Sequence, residues 1–192
     1  MGELPGPIEA RIARLPPGLR KHAGQTRQTA RGLAQRHGID VAKADLGAAC
    51  HDLARSLKGA DLIHQAERYG LRIHSVERAN PVLLHGPVAA LWLEHEDGVA
   101  DGEVLEAVRW HSTGKAGMSS VAKVVFLADK LDHAKLKTYP HLGRVRRLAD
   151  ESLDRAVLEF VDLALDYFLK KSMAIHPATI ELRNELLMAS EG

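Results

Sequence analysis

The sequence predicts an all-α fold, a single helical bundle, and three observations carry that prediction. No stretch alternates apolar and polar residues over a strand's length, and no Asn-Gly or Asp-Gly turn is flanked by strand-like runs. Ala and Leu are abundant, while aromatics make up only 4% of the 192 residues, a composition that favours helices. Apolar residues recur at helical spacing through most of the chain.

The elements follow in order. Residues 1–16 read as an N-terminal extension and 17–192 as the bundle. The stretch 18–37 places Leu19, His22, Thr26, Ala30 and Leu33 on one face, and "HG" at 37–38 is a C-terminal stop. Asp40 can cap a second helix running to about Leu57. A short helix is expected near 60–69, then a looser stretch through 70–84 broken by Pro81. A helix over 86–96 ends at "EDG", and Asp101 caps another to about Trp110. "HSTGKAGMS" at 111–119 is a glycine-bearing loop, and "SVAKVVFLADKL" is a largely buried helix. A loop with a proline spans 133–143, a long amphipathic helix roughly 151–171, and a last helix roughly 177–189. The stripe Leu153, Val157, Phe160, Val161, Ala164, Phe168 is core or a dimer face, which leaves a homodimer open.

Bulk properties exclude several functions. Formal net charge is +1, so no electrostatic footprint for nucleic acid or an acidic membrane is visible. The longest apolar run, "VAALWL", is far too short to span a bilayer, and the N-terminus lacks the apolar core of a signal peptide. The one cysteine, Cys50, forbids an intrachain disulfide, fits a reducing cytoplasmic compartment, and is read as a small buried hydrophobe.

The 11 histidines need explaining. "AACHDLARS" sets His51 directly before Asp52 inside an otherwise apolar run. One such dipeptide is about what chance supplies. Its company is more telling. His22, His85, His111 and Asp129 also lie in apolar helical contexts or at helix ends, where an unpaired carboxylate is costly to bury. Four imidazoles and two carboxylates can hold two metal ions, with one carboxylate bridging. The other histidines, His37, His64, His74, His95, His141 and His176, are read as solvated, with His133 left open because it lies one turn past Asp129. Trp92 and Trp110 are read as core fillers.

The order His22, His51-Asp52, His85, His111, Asp129 resembles the HD-domain metal-dependent phosphohydrolases in their two-metal form. "HDLAR", "LHGPVAALWL", "AVRWHSTGKAGM", "KVVFLADKLD" and "TYPHLGRVRRLADESLDRAVL" are similar to successive blocks of the bacterial HD hydrolases that split diadenosine tetraphosphate symmetrically. This resemblance covers about residues 19–171. It implies that His22, His51, Asp52 and Asp129 hold one metal, that Asp52 bridges, and that His85 and His111 complete the second. It implies iron foremost, with manganese or another divalent transition metal able to serve, and a nucleotide as substrate. Hydroxide generated on the metals would then attack phosphorus.

Asp52 and Arg55 are the candidate catalytic residues. Arg55 lies four residues beyond His51 and three beyond Asp52, on their helical face, and is a candidate phosphate contact. In the loop after His111, Ser112, Thr113, Gly114 and Lys115 are candidate nucleotide contacts, since glycine backbone can approach phosphate closely. Departures from the family's pattern occur at Leu19, Ala23, Lys130, Asp132 and Lys135 and spare every proposed ligand. Two other readings stand beside the first: an HD hydrolase of nucleoside monophosphates or guanosine polyphosphates, and a non-catalytic HD signalling module.

Overall fold

A computed structural model describes residues 4–131 and 142–190. Among the described residues it is all-α, with helices α1 (Gly6–Arg14), α2 (Pro17–His37), α3 (Val41–Cys50), α4 (Gly59–Arg68), α5 (Ser75–Ala79), a 3-10 turn (Pro81–Leu84), α6 (His85–His95), α7 (Gly102–Trp110), α8 (Ser120–Lys130), α9 (Leu142–Glu151), α10 (Leu153–Lys170) and α11 (Pro177–Ser190).

The punctuation read from the sequence works as expected at several ends. Asp40 caps α3 by accepting from the backbone N–H groups of Ala42 and Lys43 at 2.9 and 3.1 Å. Asp101 does the same for α7 through Glu103 and Val104. Gly38 ends α2 at φ 65°, a left-handed conformation that lets its N–H reach back to Ala34 and Gln35.

Four elements differ from the expected ones. α3 stops at Cys50 rather than near Leu57, and residues 51–56 continue as tight turns, with Leu53 bonded to Cys50 and Arg55 to Asp52. The stretch 70–84 holds α5, whose N-terminus His74 caps in a reciprocal arrangement with Glu77, and then the 3-10 turn. The expected helix 151–171 is α10, and a helix not expected from the sequence, α9, precedes it and is separated from it by Ser152. Ser152 is extended and its hydroxyl accepts from Arg155 N–H, so it starts a new helix. The N-terminal extension carries α1, which buries Ile8 and is tied down by Arg11 on Asp97 (2.7 Å) and Glu96 (2.5 Å). The loop expected over 133–143 falls mostly outside the described residues, as do Asp132, His133, Lys135 and His141.

Helices α2, α3, α7 and α8 pack against one another, α6 lies on α7, and α10 covers α8. Two apolar clusters result. The larger one surrounds α8 and includes Leu33, Val125, Phe126, Leu127, Val157, Val161 and Leu182. The stripe of α10 goes into it, with Leu153, Val157 and Val161 buried and Phe160 and Phe168 packed against it. The smaller cluster gathers Ile8, Cys50, Leu53, Leu62, Leu84, Val88 and Leu93. α3 contributes to both, so its C-terminal end, with His51 and Asp52, sits at the seam between them.

Candidate metal centre

At that seam His51, His85 and His111 share one local device. Each stands at a helix end, as the residue following α3, the 3-10 turn and α7. Helix ends leave carbonyls without intrahelical partners. Each imidazole donates its Nδ1–H to the carbonyl three residues back: His51 to Ala48 at 2.7 Å, His85 to Val82 at 2.5 Å, His111 to Val108 at 2.8 Å. A carbonyl can only accept, so Nδ1 carries the proton and Nε2 presents a bare lone pair. All three rings are buried. Burial pushes His51 down and His111 well down from the usual imidazole range, which keeps them in the neutral, ligating form.

The six residues singled out in the sequence converge here. His22 Nε2 lies 3.1 Å from His51 Nε2 and 3.0 Å from Asp129 Oδ1. On the other side, His85 Nε2 lies 2.9 Å from His111 Nε2. Asp52 stands between the two groups and divides its oxygens. Oδ2 faces His51 at 3.5 Å and His22 at 3.7 Å. Oδ1 faces His85 at 3.0 Å and His111 at 3.8 Å. Burial opposes ionisation of Asp52, but the close approach of His85 and the other imidazoles around it outweigh burial and hold the carboxyl well below its usual range.

This geometry fits divalent metal. Donors about 2.1 Å from one ion sit roughly 3–3.5 Å apart, which matches most of these separations. The donor atoms of His22, His51 and Asp129, and again those of His51, Asp52 and His111, all lie within 4.8 Å of one another. The imidazoles add a second argument. His85 and His111 both spend their proton on a carbonyl, so their Nε2 lone pairs point at each other across 2.9 Å. Two acceptors at that distance repel unless a cation lies between them.

The donors open onto a cleft of about 550 Å³ lined by Leu19, Val82 and Leu83 on its apolar side and by Arg55, Ser112 and Lys130 on its polar side. Arg55 is exposed and, among the described residues, its guanidinium makes no hydrogen bond or ion pair. Ser112 Oγ lies 3.2 Å from His111 Nε2 and 3.5 Å from His85 Nε2. The rest of the loop turns away from the cleft. The Thr113 carbonyl accepts from Thr179, Gly114 packs against Leu182, and Lys115 pairs with Glu106 at 2.8 Å. α11 meets Thr113 and Gly114 there, while Glu106 of α7 holds Lys115.

Lys130 is the polar wall residue that helical periodicity did not single out as a site residue. Its ammonium reaches Asp129 Oδ2 at 2.8 Å. The sequence signal was its place directly after Asp129. Three histidines read as solvated have structural contacts instead. His74 caps α5, His37 meets the Ala149 carbonyl at 2.7 Å, and His176 is half-buried 3.7 Å from Glu77.

Comparison with known proteins gives concordant matches. The HD-domain family model matches residues 19–134. A Bacillus subtilis (strain 168) protein named bis(5'-nucleosyl)-tetraphosphatase, symmetrical, is 31% identical over 88% of this chain and 89% of its own length. A relative of the same name from Halalkalibacterium halodurans is 32% identical over 88% of both chains. A crystal structure from Clostridium acetobutylicum, described as a predicted HD superfamily hydrolase involved in NAD metabolism, superposes with a TM-score of 0.89 at 28% identity over 95% of each chain.

Proposed function

The chain belongs to the HD-domain family, and from that premise we propose that it hydrolyses diadenosine tetraphosphate symmetrically to two ADP, using two divalent ions, iron foremost. The family makes it a phosphohydrolase. The observation that carries the two-ion reading is Asp52, whose two oxygens serve two separate donor groups. In this reading His22, His51 and Asp129 hold one ion, His85 and His111 the other, and Asp52 both. A nucleotide hydrolase of this kind is supported by the relatives named as tetraphosphatases.

Ions bound there would activate a water for attack at phosphorus and neutralise charge on the phosphoryl oxygens. The remaining work falls to the chain's own groups. The carbonyl-anchored imidazoles keep their lone pairs on target before any ligand arrives. Arg55, whose guanidinium is unpaired among the described residues, meets a phosphate with a planar, charge-assisted fork. The Ser112 hydroxyl donates to a phosphoryl oxygen beside His85 and His111. Leu19, Val82 and Leu83 cover an apolar nucleoside face. Symmetric cleavage bonds the oxygen of water to one central phosphorus and breaks its bond to the oxygen shared with the other. Each half departs as ADP, with the protons of water released to solvent.

The test is a substrate panel scored by product. Anaerobically metal-loaded protein is offered diadenosine tetraphosphate, a nucleoside monophosphate and a guanosine polyphosphate. Two ADP per diadenosine tetraphosphate is expected. ATP plus AMP, or preference for another nucleotide, moves the substrate within the family. No turnover by fully loaded protein points to a signalling module.

A further inference from the structure

Lys130 is the last residue of α8 and follows a proposed ligand, yet it is a cation placed beside a site for cations. Its side chain is only 11% exposed. Like charge disfavours such a placement, so something must compensate. The ammonium donates to Asp129 Oδ2 at 2.8 Å and to the His111 carbonyl at 2.5 Å. It also lies 4.5 Å from the ring centre of Phe126 and 5.9 Å from that of Phe160, both favourable cation–ring distances.

These partners belong to opposite halves of the site. Asp129 Oδ1 faces His22 at 3.0 Å, on the side of the first ion. His111 presents Nε2 to His85, on the side of the second. By taking Oδ2, the ammonium turns the Asp129 carboxylate so that Oδ1 alone faces His22. By taking the His111 carbonyl, it ties the end of α7 to the end of α8. Asp52 links the two halves through the ions, whereas the Lys130 link needs no ion and stands before one binds.

We infer that Lys130 is a positioning residue, which makes Asp129 a one-oxygen ligand and fixes the spacing of the two half-sites before metal arrives. This rests on the two-ion reading above.

The test is manganese titration of metal-free protein, read by the electron paramagnetic resonance of free and bound Mn2+, on wild type, Lys130→Met and Lys130→Arg. Methionine keeps the apolar stem against Phe126 and Phe160 and removes the donor and the charge. Wild type should take up two ions per chain. Lys130→Met should bind the first ion roughly 10- to 100-fold more weakly, the usual loss when a group orienting a ligand is removed. Its metal-free melting temperature should stay close to wild type. Lys130→Arg, with charge and donors kept, should recover part of the loss. Unchanged or tighter binding in Lys130→Met overturns the inference, tighter binding showing that the charge only repels. Fewer than two ions in wild type instead sinks the two-ion reading, whatever the variants do.

Discussion

His51, His85 and His111 each do two jobs with one ring. The Nδ1–H satisfies a carbonyl that a helix end leaves open, and the same bond fixes Nε2 as the free donor. The fold and the site therefore draw on the same three hydrogen bonds. Arg55 is the opposite case, a side chain with no polar partner among the described residues. Arg55→Ala should lower kcat/KM by roughly 10- to 100-fold, about the worth of one or two charge-assisted hydrogen bonds, with metal content unchanged. Steady-state kinetics beside elemental analysis checks this, and loss of metal would show that Arg55 shapes the site rather than touching substrate. All six proposed ligands were legible in the sequence because polar residues of one chemical type stand out against apolar helical runs. The destinations of Thr113, Gly114 and Lys115 were not. Nothing local to the loop reveals that a helix some 65 residues later fills the space beside it.

That helix sets the predictions at the scale of elements. Gly114 has φ +64°, and a Cβ there would lie 2.3 Å from Leu182 Cδ2. Gly114→Ala should destabilise by about 2–4 kcal/mol, from the left-handed backbone and the overlap together. Urea denaturation measures it, and Leu182→Ala in the same chain should cost less than the sum of the two single changes. Between α2 and α3, Arg27 grips buried Asp45 with two bonds of 2.9 and 2.7 Å. Asp45→Ala removes both of those bonds from a largely buried cation and should cost about 3 kcal/mol in the same assay. Caps such as Asp40 and Asp101 were readable because their signal is local. α9 was missed because its buried apolar residues, Leu142, Val145 and Ala149, are few among charged ones. The early end of α3 was missed for another reason: "LARSL" continues a helical pattern, while the turns at 51–56 are built around the His51 side chain.

At the scale of the whole molecule, two apolar clusters meet along one seam and the proposed ligands lie on it. α2 and α8 supply His22 and Asp129, α3 ends at His51 and Asp52, and α6 and α7 bring His85 and His111. Among the described residues no helix is long and apolar enough to cross a membrane. Metal at the seam should hold the clusters together. With free metal at about 100 times its dissociation constant, binding contributes roughly 2.7 kcal/mol per ion, so chelation of two ions should lower the melting temperature by about 10–20 °C. Equal melting of chelated and loaded protein would show that the halves pack without help from ions. The shared ligand proposed at the seam is Asp52, and metal content tests it most directly. Elemental analysis of anaerobically purified wild type and Asp52→Ala should give two ions per chain in the first and close to none in the second, with turnover abolished. Two ions retained in Asp52→Ala, with activity near wild type, would contradict the bridged two-ion site.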